Sequence, residues 1–253
     1  MVPITSLSHA KQNRTSSSTC IRLAVLAIVG VSVLMFLLLS NRSSQANKAT
    51  SQGDEQVVSI QQGNTSDGVA YYHCTSSSSI QLVLLHGAHF TKENYKSSGL
   101  LDRFCSKGAS VTALDFSVKA TAKNLKNSLM VLWQDGIVVK NRPISLVTPS
   151  ASGYGVVDWI NNGDLEEFRK HIRHWIPVAS PAISSASIEK LGMLDVAILA
   201  IYGDKDILGR RVSEFLAQHA NALVVEIPGS HPCYLDSPML FVKDVMEFVQ
   251  SHK

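Results

Sequence analysis

Three textures of hydrophobic and polar residues follow one another along the chain. Leu23 to Leu39 reads LAVLAIVGVSVLMFLLL, seventeen residues without a charge. At 1.5 Å per residue such a run makes a helix of about 26 Å, the short end of what crosses a bilayer. No polar face interrupts it, as a buried core helix of a soluble domain would require. Residues 41 to 56 are Ser-, Gln- and Asn-rich and read as a stem. A first edge strand is expected near Val57 to Ile60. Beyond it, short Val-, Ile- and Leu-rich runs alternate with amphipathic stretches. The strand candidates are Val69 to Cys74, Ile80 to Leu85, Ser110 to Phe116, Ile144 to Val147, Trp175 to Ala179, Ala197 to Tyr202 and Leu223 to Ile227. Their near-continuous apolar character suits strands buried on both faces of a parallel sheet. Val212, Phe215, Leu216 and His219 share one helix face, and Val242, Val245, Met246 and Val249 repeat the spacing in a final helix from Pro238 to about His252. The alternation predicts a mostly parallel, doubly wound α/β sheet flanked by helices. The expected organisation is a tail (1–22), a transmembrane signal anchor (23–40), a stem (41–56) and one catalytic-size domain (57–253).

Charge sharpens the topology. The formal net charge of the 253 residues is +3, but it divides unevenly. Residues 1 to 50 hold Lys11, Arg14, Arg22, Arg42 and Lys48 with no acid, giving +5 and leaving −2 for the rest. The basic excess therefore belongs to the appendage, and a nucleic-acid-binding stripe on the folded part loses its support. Lys11, Arg14 and Arg22 precede the apolar run, which favours a cytoplasmic N-terminus and a lumenal or extracellular body in the secretory pathway. A cleaved signal peptide, with Ser44-Gln45-Ala46 as its cleavage site, is the rival. Its 22-residue leading segment and seventeen-residue apolar run are both longer than such peptides use. With the body on the far side of the membrane, Asn64 in Asn64-Thr65-Ser66 is a glycosylation candidate, whereas Asn41 lies too near the membrane. Four cysteines do not make a disulfide scaffold. Cys74, Cys105 and Cys233 are an odd number, so a lumenal body forms at most one pair, and Cys233 is placed to stay free near the site.

Candidate chemistry gathers at three strand ends. Ile144-Ser-Leu-Val-Thr-Pro-Ser150 is followed by Ala151-Ser152-Gly153-Tyr154-Gly155. A serine among small residues, after a buried strand and before a helix, fits a nucleophile elbow, and Ser152 is the residue chosen here. The strict G-x-S-x-G pattern is not met, and alone such a serine reads more readily as a helix N-cap. The second strand ends in Tyr202-Gly-Asp-Lys-Asp206, where Asp206 lies far enough into the loop to reach a histidine and Asp204 fixes the turn. The third ends in Ile227-Pro-Gly-Ser-His231. Serine, acid and histidine in that chain order, each at a strand end, is the order of an α/β-hydrolase. A fourth strand ends in His86-Gly87, so the N–H groups of Ala88 and Gly153 are the expected oxyanion donors, with His86 holding that loop in shape. His89, Phe90, Tyr154 and Cys233 flank these groups as candidate substrate contacts, although for His89 a place at the rim is the favoured reading.

The stretches LVLLHGAHFTKENY (82–95), TPSASG (148–153), IYGDKD (201–206) and GSHPCYLDSP (229–238) resemble the α/β hydrolase domain-containing protein 14 family. The HPCYLD run is the most specific of them, and the resemblance covers residues 57 to 253 in order. The apolar N-terminal run makes the chain more similar to the membrane-anchored A type than to the soluble B type. The resemblance implies an α/β-hydrolase fold, Ser152 as nucleophile, Asp206 as acid, His231 as base and an ester-hydrolase-like activity. One departure stands out. After Ser110 to Phe116 the family shows a Pro-Gly-rich turn, where this chain has Asp115-Phe-Ser-Val-Lys119.

The expected function is that of a serine hydrolase acting on small ester, thioester or acyl-amine substrates through an acyl-enzyme. Only 17 residues, Ser180 to Val196, separate the fifth and sixth of the body strands listed above, which leaves no room for a large lid. No metal-ligand spacing, dinucleotide loop or P-loop is present in the sequence, so no cofactor or metal is implied. Two alternatives stay open: transfer of the acyl group to an amine or alcohol by the same triad, and a catalytically silent interaction module of the same fold.

Overall fold

A computed structural model describes residues 59–117, 120–140 and 142–252. The apolar run at 23–40, its basic flank and Val57-Val58 lie outside the described residues. Among the described residues no helix is long and apolar enough to cross a membrane.

Among the described residues eight strands form one sheet: β1 (Gln61–Asn64), β2 (Ala70–Cys74), β3 (Gln81–Leu84), β4 (Ser110–Leu114), β5 (Ile144–Pro149), β6 (Ile172–Val178), β7 (Ala197–Gly203) and β8 (Leu223–Ile227). Their spatial order is β1-β2-β4-β3-β5-β6-β7-β8. β1 and β2 run antiparallel to their neighbours, and β3 to β8 are parallel. β3 and β5 are buried at every position, as apolar strands covered on both faces must be.

The first strand departs from expectation. It begins at Gln61 rather than near Val57, because the Thr65–Gly68 turn fixes a hairpin register that pairs Gln61 with His73 and Asn64 with Ala70. Its polar, mostly exposed residues carry no hydrophobic signal. β6 begins three residues earlier than Trp175, because the ladder takes in Arg173 and His174. His174 is buried there with both ring nitrogens bonded, to Ser145 Oγ at 2.8 Å and to the His252 carbonyl at 2.9 Å.

Helices cover both faces. On one side lie α1 (Lys92–Ser97), α2 (Leu100–Ser106), α8 (Cys233–Asp236) and α9 (Pro238–Ser251), burying Tyr95, Phe104, Tyr234 and Phe241 against Leu84 and Val111. On the other lie α3 (Ala122–Gln134), α4 (Gly153–Asn162), α5 (Leu165–His171), α6 (Ile188–Gly192) and α7 (Ile207–Ala220), which bury Trp159, Phe168 and Leu216 against Trp175 and Ile198. Cys74 at the end of β2 and Cys105 in α2 form a disulfide with Cα atoms 6.4 Å apart, and among the described residues Cys233 is the free, buried thiol. Asn64, the candidate glycosylation site, is exposed at the end of β1.

The strand order reverses direction at β3, with β4 on one side and β5 on the other. In an open α/β sheet such a switch point leaves a crevice at the carboxyl ends of the strands. The loops after β3 and β5 therefore face one another, and those after β7 and β8 approach from beyond β6. The segment between β6 and β7 is no lid. It folds as a short 3-10 turn (Pro181–Ser185) and α6, with Ala182, Ile183, Leu191 and Leu194 buried in the core.

Candidate active site

The turn after β5 makes the sharpest bend of the site. Pro149 ends the strand, and Ser150 follows with φ +51° before the chain enters one 3-10 turn and then α4. A non-glycine residue in this left-handed region is held at a cost of about 1–2 kcal/mol, which marks a strained, over-determined position. The turn is tolerated because its neighbours are small. A side chain at Gly153 would collide with Ser180.

The strain puts Ser150 Oγ out of the turn and 2.8 Å from His231 Nε2. Ser152, the serine expected there, is a correction. Its side chain is buried and turns back, donating to the Pro149 carbonyl at 2.8 Å, so it stabilises the elbow from beneath. Two residues of helical turn separate the two hydroxyls and send them in different directions.

His231 lies on the loop after β8, and its Nδ1 donates to Asp206 Oδ2 at 2.6 Å. Asp206 ends the β7 loop and caps α7, with Oδ1 accepting the Gly209 N–H at 2.9 Å. A β-carbon at Gly209 would lie 2.6 Å from Asp206 Oδ2 and 2.8 Å from Ala179 Cβ, so only glycine leaves the carboxylate in place. The imidazole is about half exposed (46%) while the Asp206 side chain is 9% exposed. The carboxylate is thus held inside, and the ring faces solvent.

Two more carboxylates hold the histidine loop. Asp204 Oδ1 accepts the Gly229 N–H at 2.9 Å, reaching across to the next loop rather than to its own turn. Asp236 Oδ2 accepts both the backbone N–H and the hydroxyl of Ser230 at 2.7 Å. These two bonds hold the Asp236 carboxyl below the usual range. Asp236 went unnoticed in the sequence, though it ends the HPCYLD run and sits within one helical turn of the loop it secures.

The loop after β3 closes the other side. Gly87 is in van der Waals range of Ser150: a β-carbon there would lie 3.5 Å from Ser150 Cβ. Tyr95, fully buried, donates to the Leu85 carbonyl at 2.5 Å. The divergent segment after β4 also supports this loop. Phe116 N–H donates to His86 Nε2 at 3.0 Å, and Asp115 Oδ1 accepts the Lys92 N–H at 2.8 Å at the start of α1.

Of the two expected oxyanion donors, Ala88 is exposed and follows Gly87, where a β-carbon would lie 3.5 Å from Ser150 Cβ. Gly153 is not available, because its N–H is donated to the carbonyls of Ser150 and Ala151. With Ser150 at the bend, the N–H that follows it is that of Ala151. Among the described residues, neither the Ala88 nor the Ala151 N–H makes a backbone hydrogen bond outside the helices and strands.

Of the expected substrate contacts, His89 is exposed and Phe90 is half-buried, edge-on to Tyr234 at 6.3 Å. Tyr154 is half exposed at the first turn of α4. Cys233 is a correction: it is completely buried, and burial pushes its thiol up to about 12, so it behaves as a small apolar core residue.

Solved structures share this architecture. The predicted CIB-like hydrolase from Thermoplasma acidophilum matches with a TM-score of 0.64 at 18% identity, over 77% of this chain and 99% of that one. The esterase RhEst1 from Rhodococcus sp. ECU1013 matches with a TM-score of 0.57 at 15% identity, over 77% of this chain and all of that one. The fold is that of the α/β-hydrolases. No family model matches the chain. Among curated proteins, Protein ABHD14A of Danio rerio is 27% identical over 182 residues, 67% of this chain and 64% of that protein. The chain thus matches a little under two thirds of that relative's length. The human protein named "Putative protein-lysine deacylase ABHD14B" is 24% identical over 180 residues, 67% of this chain and 82% of its own length. The chain is thus similar to the ABHD14A and ABHD14B proteins, and at these identities it is no nearer to one type than to the other.

Proposed function

We propose that this chain is a serine hydrolase that cleaves acyl groups through an acyl-enzyme, with Ser150 as nucleophile, His231 as general base and acid, and Asp206 as its partner. The observation that carries the reading is the continuous line Ser150 Oγ, His231 Nε2 and Nδ1, and Asp206 Oδ2, at 2.8 and 2.6 Å. His231 takes the Ser150 proton as Oγ bonds the acyl carbon, and the carbonyl oxygen becomes an anion facing the N–H groups of Ala88 and Ala151. Collapse of this intermediate breaks the bond to the leaving group, which receives the proton from His231. Water, deprotonated by the same ring, then releases the acid. Asp206 keeps the proton on Nδ1, so that Nε2 is the free base.

The substrate class follows from the open site. Short esters, thioesters and acyl-amines reach an unlidded serine as readily as an acyl group borne on a larger molecule. The acyl-amine member of this set accords with the deacylase name of the ABHD14B relatives. The test is labelling by a fluorophosphonate, with turnover of p-nitrophenyl acetate and of an acetyl-lysine peptide measured alongside. Replacement of Ser150 by Ala is expected to abolish all three; labelling that persists in that variant overturns the assignment.

The same proposal places the body beyond a membrane, tethered by residues 23–40. The supports are the uncharged run, the +5 charge of residues 1–50 and the Cys74–Cys105 pair, a bond kept in oxidising compartments. Protection of the body from protease in sealed vesicles, lost on adding detergent, is the expected result. Digestion without detergent refutes it.

A further inference from the structure

Ser180 and His86 are two buried polar side chains that the chemistry above does not use, and they have a common geometry. Ser180 lies just past β6, fully buried, and its hydroxyl donates to the Ser150 carbonyl at 2.7 Å. His86 is 7% exposed. Its Nε2 accepts the Phe116 N–H, so the ring proton is on Nδ1, which donates to the Gly87 carbonyl at 2.9 Å.

The two carbonyls so engaged are not arbitrary. The Ser150 carbonyl belongs to the peptide whose N–H is that of Ala151. The Gly87 carbonyl belongs to the peptide whose N–H is that of Ala88. A trans peptide is planar, with C=O and N–H pointing in opposite directions. A hydrogen bond that fixes the oxygen on the buried side therefore aims the N–H at the open side. A bond accepted by the oxygen also polarises the amide and strengthens what its N–H can donate.

We propose that Ser180 and His86 are positioning residues for the oxyanion site, each clamping one donor peptide from behind. The proposal rests on the hydrolase reading. It accounts for a fully buried hydroxyl next to Ala179, itself at φ +48°, and for a glycine at 153, where any side chain would displace Ser180. It also accounts for the divergent segment after β4: Phe116 fixes the tautomer of His86 and so the direction of the clamp.

The test is the rate of labelling by a fluorophosphonate, in which Ser150 Oγ bonds phosphorus, fluoride leaves and the phosphoryl oxygen occupies the oxyanion site. Wild type, Ser150→Ala, Ser180→Ala, His86→Ala and His86→Asn are compared for maximal labelling rate, half-saturating probe concentration, final stoichiometry and Tm. Loss of a whole oxyanion donor costs about 10²–10³ in rate, and loosening one is expected to cost about 10- to 100-fold. Ser180→Ala and His86→Ala should show that loss in maximal rate at full final stoichiometry, with half-saturation within about twofold of wild type. His86→Asn, whose amide can donate to the Gly87 carbonyl, should recover most of it.

A merely structural role lowers stoichiometry or Tm and leaves the rate of the folded fraction unchanged; that result overturns the proposal. So does a wild-type rate in Ser180→Ala, which decides the matter should His86→Ala fail to fold. Absence of labelling that depends on Ser150 brings down the hydrolase reading and this inference together. Normal Ser150 labelling with unchanged Ser180→Ala and His86→Ala rates brings down the inference alone.

Discussion

Replacing Ser150 and Ser152 separately gives the sharpest contrast the structure offers, because two serines two residues apart have opposite expected effects. Ser150→Ala removes the hydroxyl 2.8 Å from His231 Nε2 on a half-exposed ring, so little stability is lost. Removing the nucleophile of a comparable triad costs about 10⁴–10⁶ in rate, or roughly 5–8 kcal/mol of transition-state stabilisation. Ser152→Ala removes a buried hydroxyl donating to the Pro149 carbonyl at 2.8 Å. One such bond is worth about 0.5–1.5 kcal/mol. In a domain of this size that lowers Tm by roughly 2–4 °C per kcal/mol. Fluorophosphonate labelling, ester turnover and thermal melting on the two variants separate the effects. Ser150→Ala should melt like wild type and be inert, while Ser152→Ala should melt lower and keep activity within a few-fold. An active Ser150→Ala beside an inert, stable Ser152→Ala would refute the reasoning and restore Ser152 as nucleophile.

Asp206→Asn keeps an oxygen for the Gly209 N–H but turns an amide toward His231, favouring the wrong tautomer, and kcat should fall about 10⁴-fold with Tm nearly unchanged. Cys105→Ser opens a loop with sequence separation 31 and should cost roughly 3–4 kcal/mol on the loop-entropy model, read as a lower urea midpoint. Alkylation of the non-reduced protein should modify neither Cys74 nor Cys105. Cys233, with its thiol pushed up to about 12 by burial, should resist iodoacetamide at pH 8 until denaturant is added; rapid reaction of the folded protein would contradict its place in the core. Burial lowers His73, His171 and His174 below the ordinary 6.5. The unfolded chain then binds protons that the folded rings refuse, so stability is full above 6.5 and falls as pH drops toward the folded values. Urea midpoints between pH 7.5 and 5.5 should show that slope, and it should be shallower in His174→Gln.

The middle of the sheet was legible because strands such as β3 and β5 are buried on both faces and so are written largely in Val, Ile and Leu. β8 falls where the pattern put it, and β5 and β7 extend by only a residue or two. β1 was displaced because its polar sequence QQGN carries no hydrophobic signal, and a turn fixes its register. The acid and histidine were legible because a loop after a parallel strand has little freedom over where it can go. The serine was not. In TPSASG, proximity to Gly153 favours Ser152, but the strained residue of an elbow comes directly after the strand. Thr148-Pro-Ser150-Ala-Ser152 is the same small-x-Ser-x-small frame as G-x-S-x-G, centred on Ser150. That frame was the available signal. Ser180 and Asp236 had none, since each acts on a backbone group of another loop and no local pattern encodes that.

The distribution of strain and hydrogen bonds explains how such a site is held together. Ser150 and Ala179 both stand at positive φ, each at a cost of about 1–2 kcal/mol, and both flank the crevice. Side chains aimed at backbone atoms offset that cost: Ser152 on Pro149, Ser180 on Ser150, Asp204 on Gly229 and Asp236 on Ser230. Each needs only a small hydroxyl or a carboxylate at the right place, with few demands on the residues between. What these bonds fix is a set of peptide directions at four strand ends, together with the one hydroxyl, ring and carboxylate that those directions bring into line.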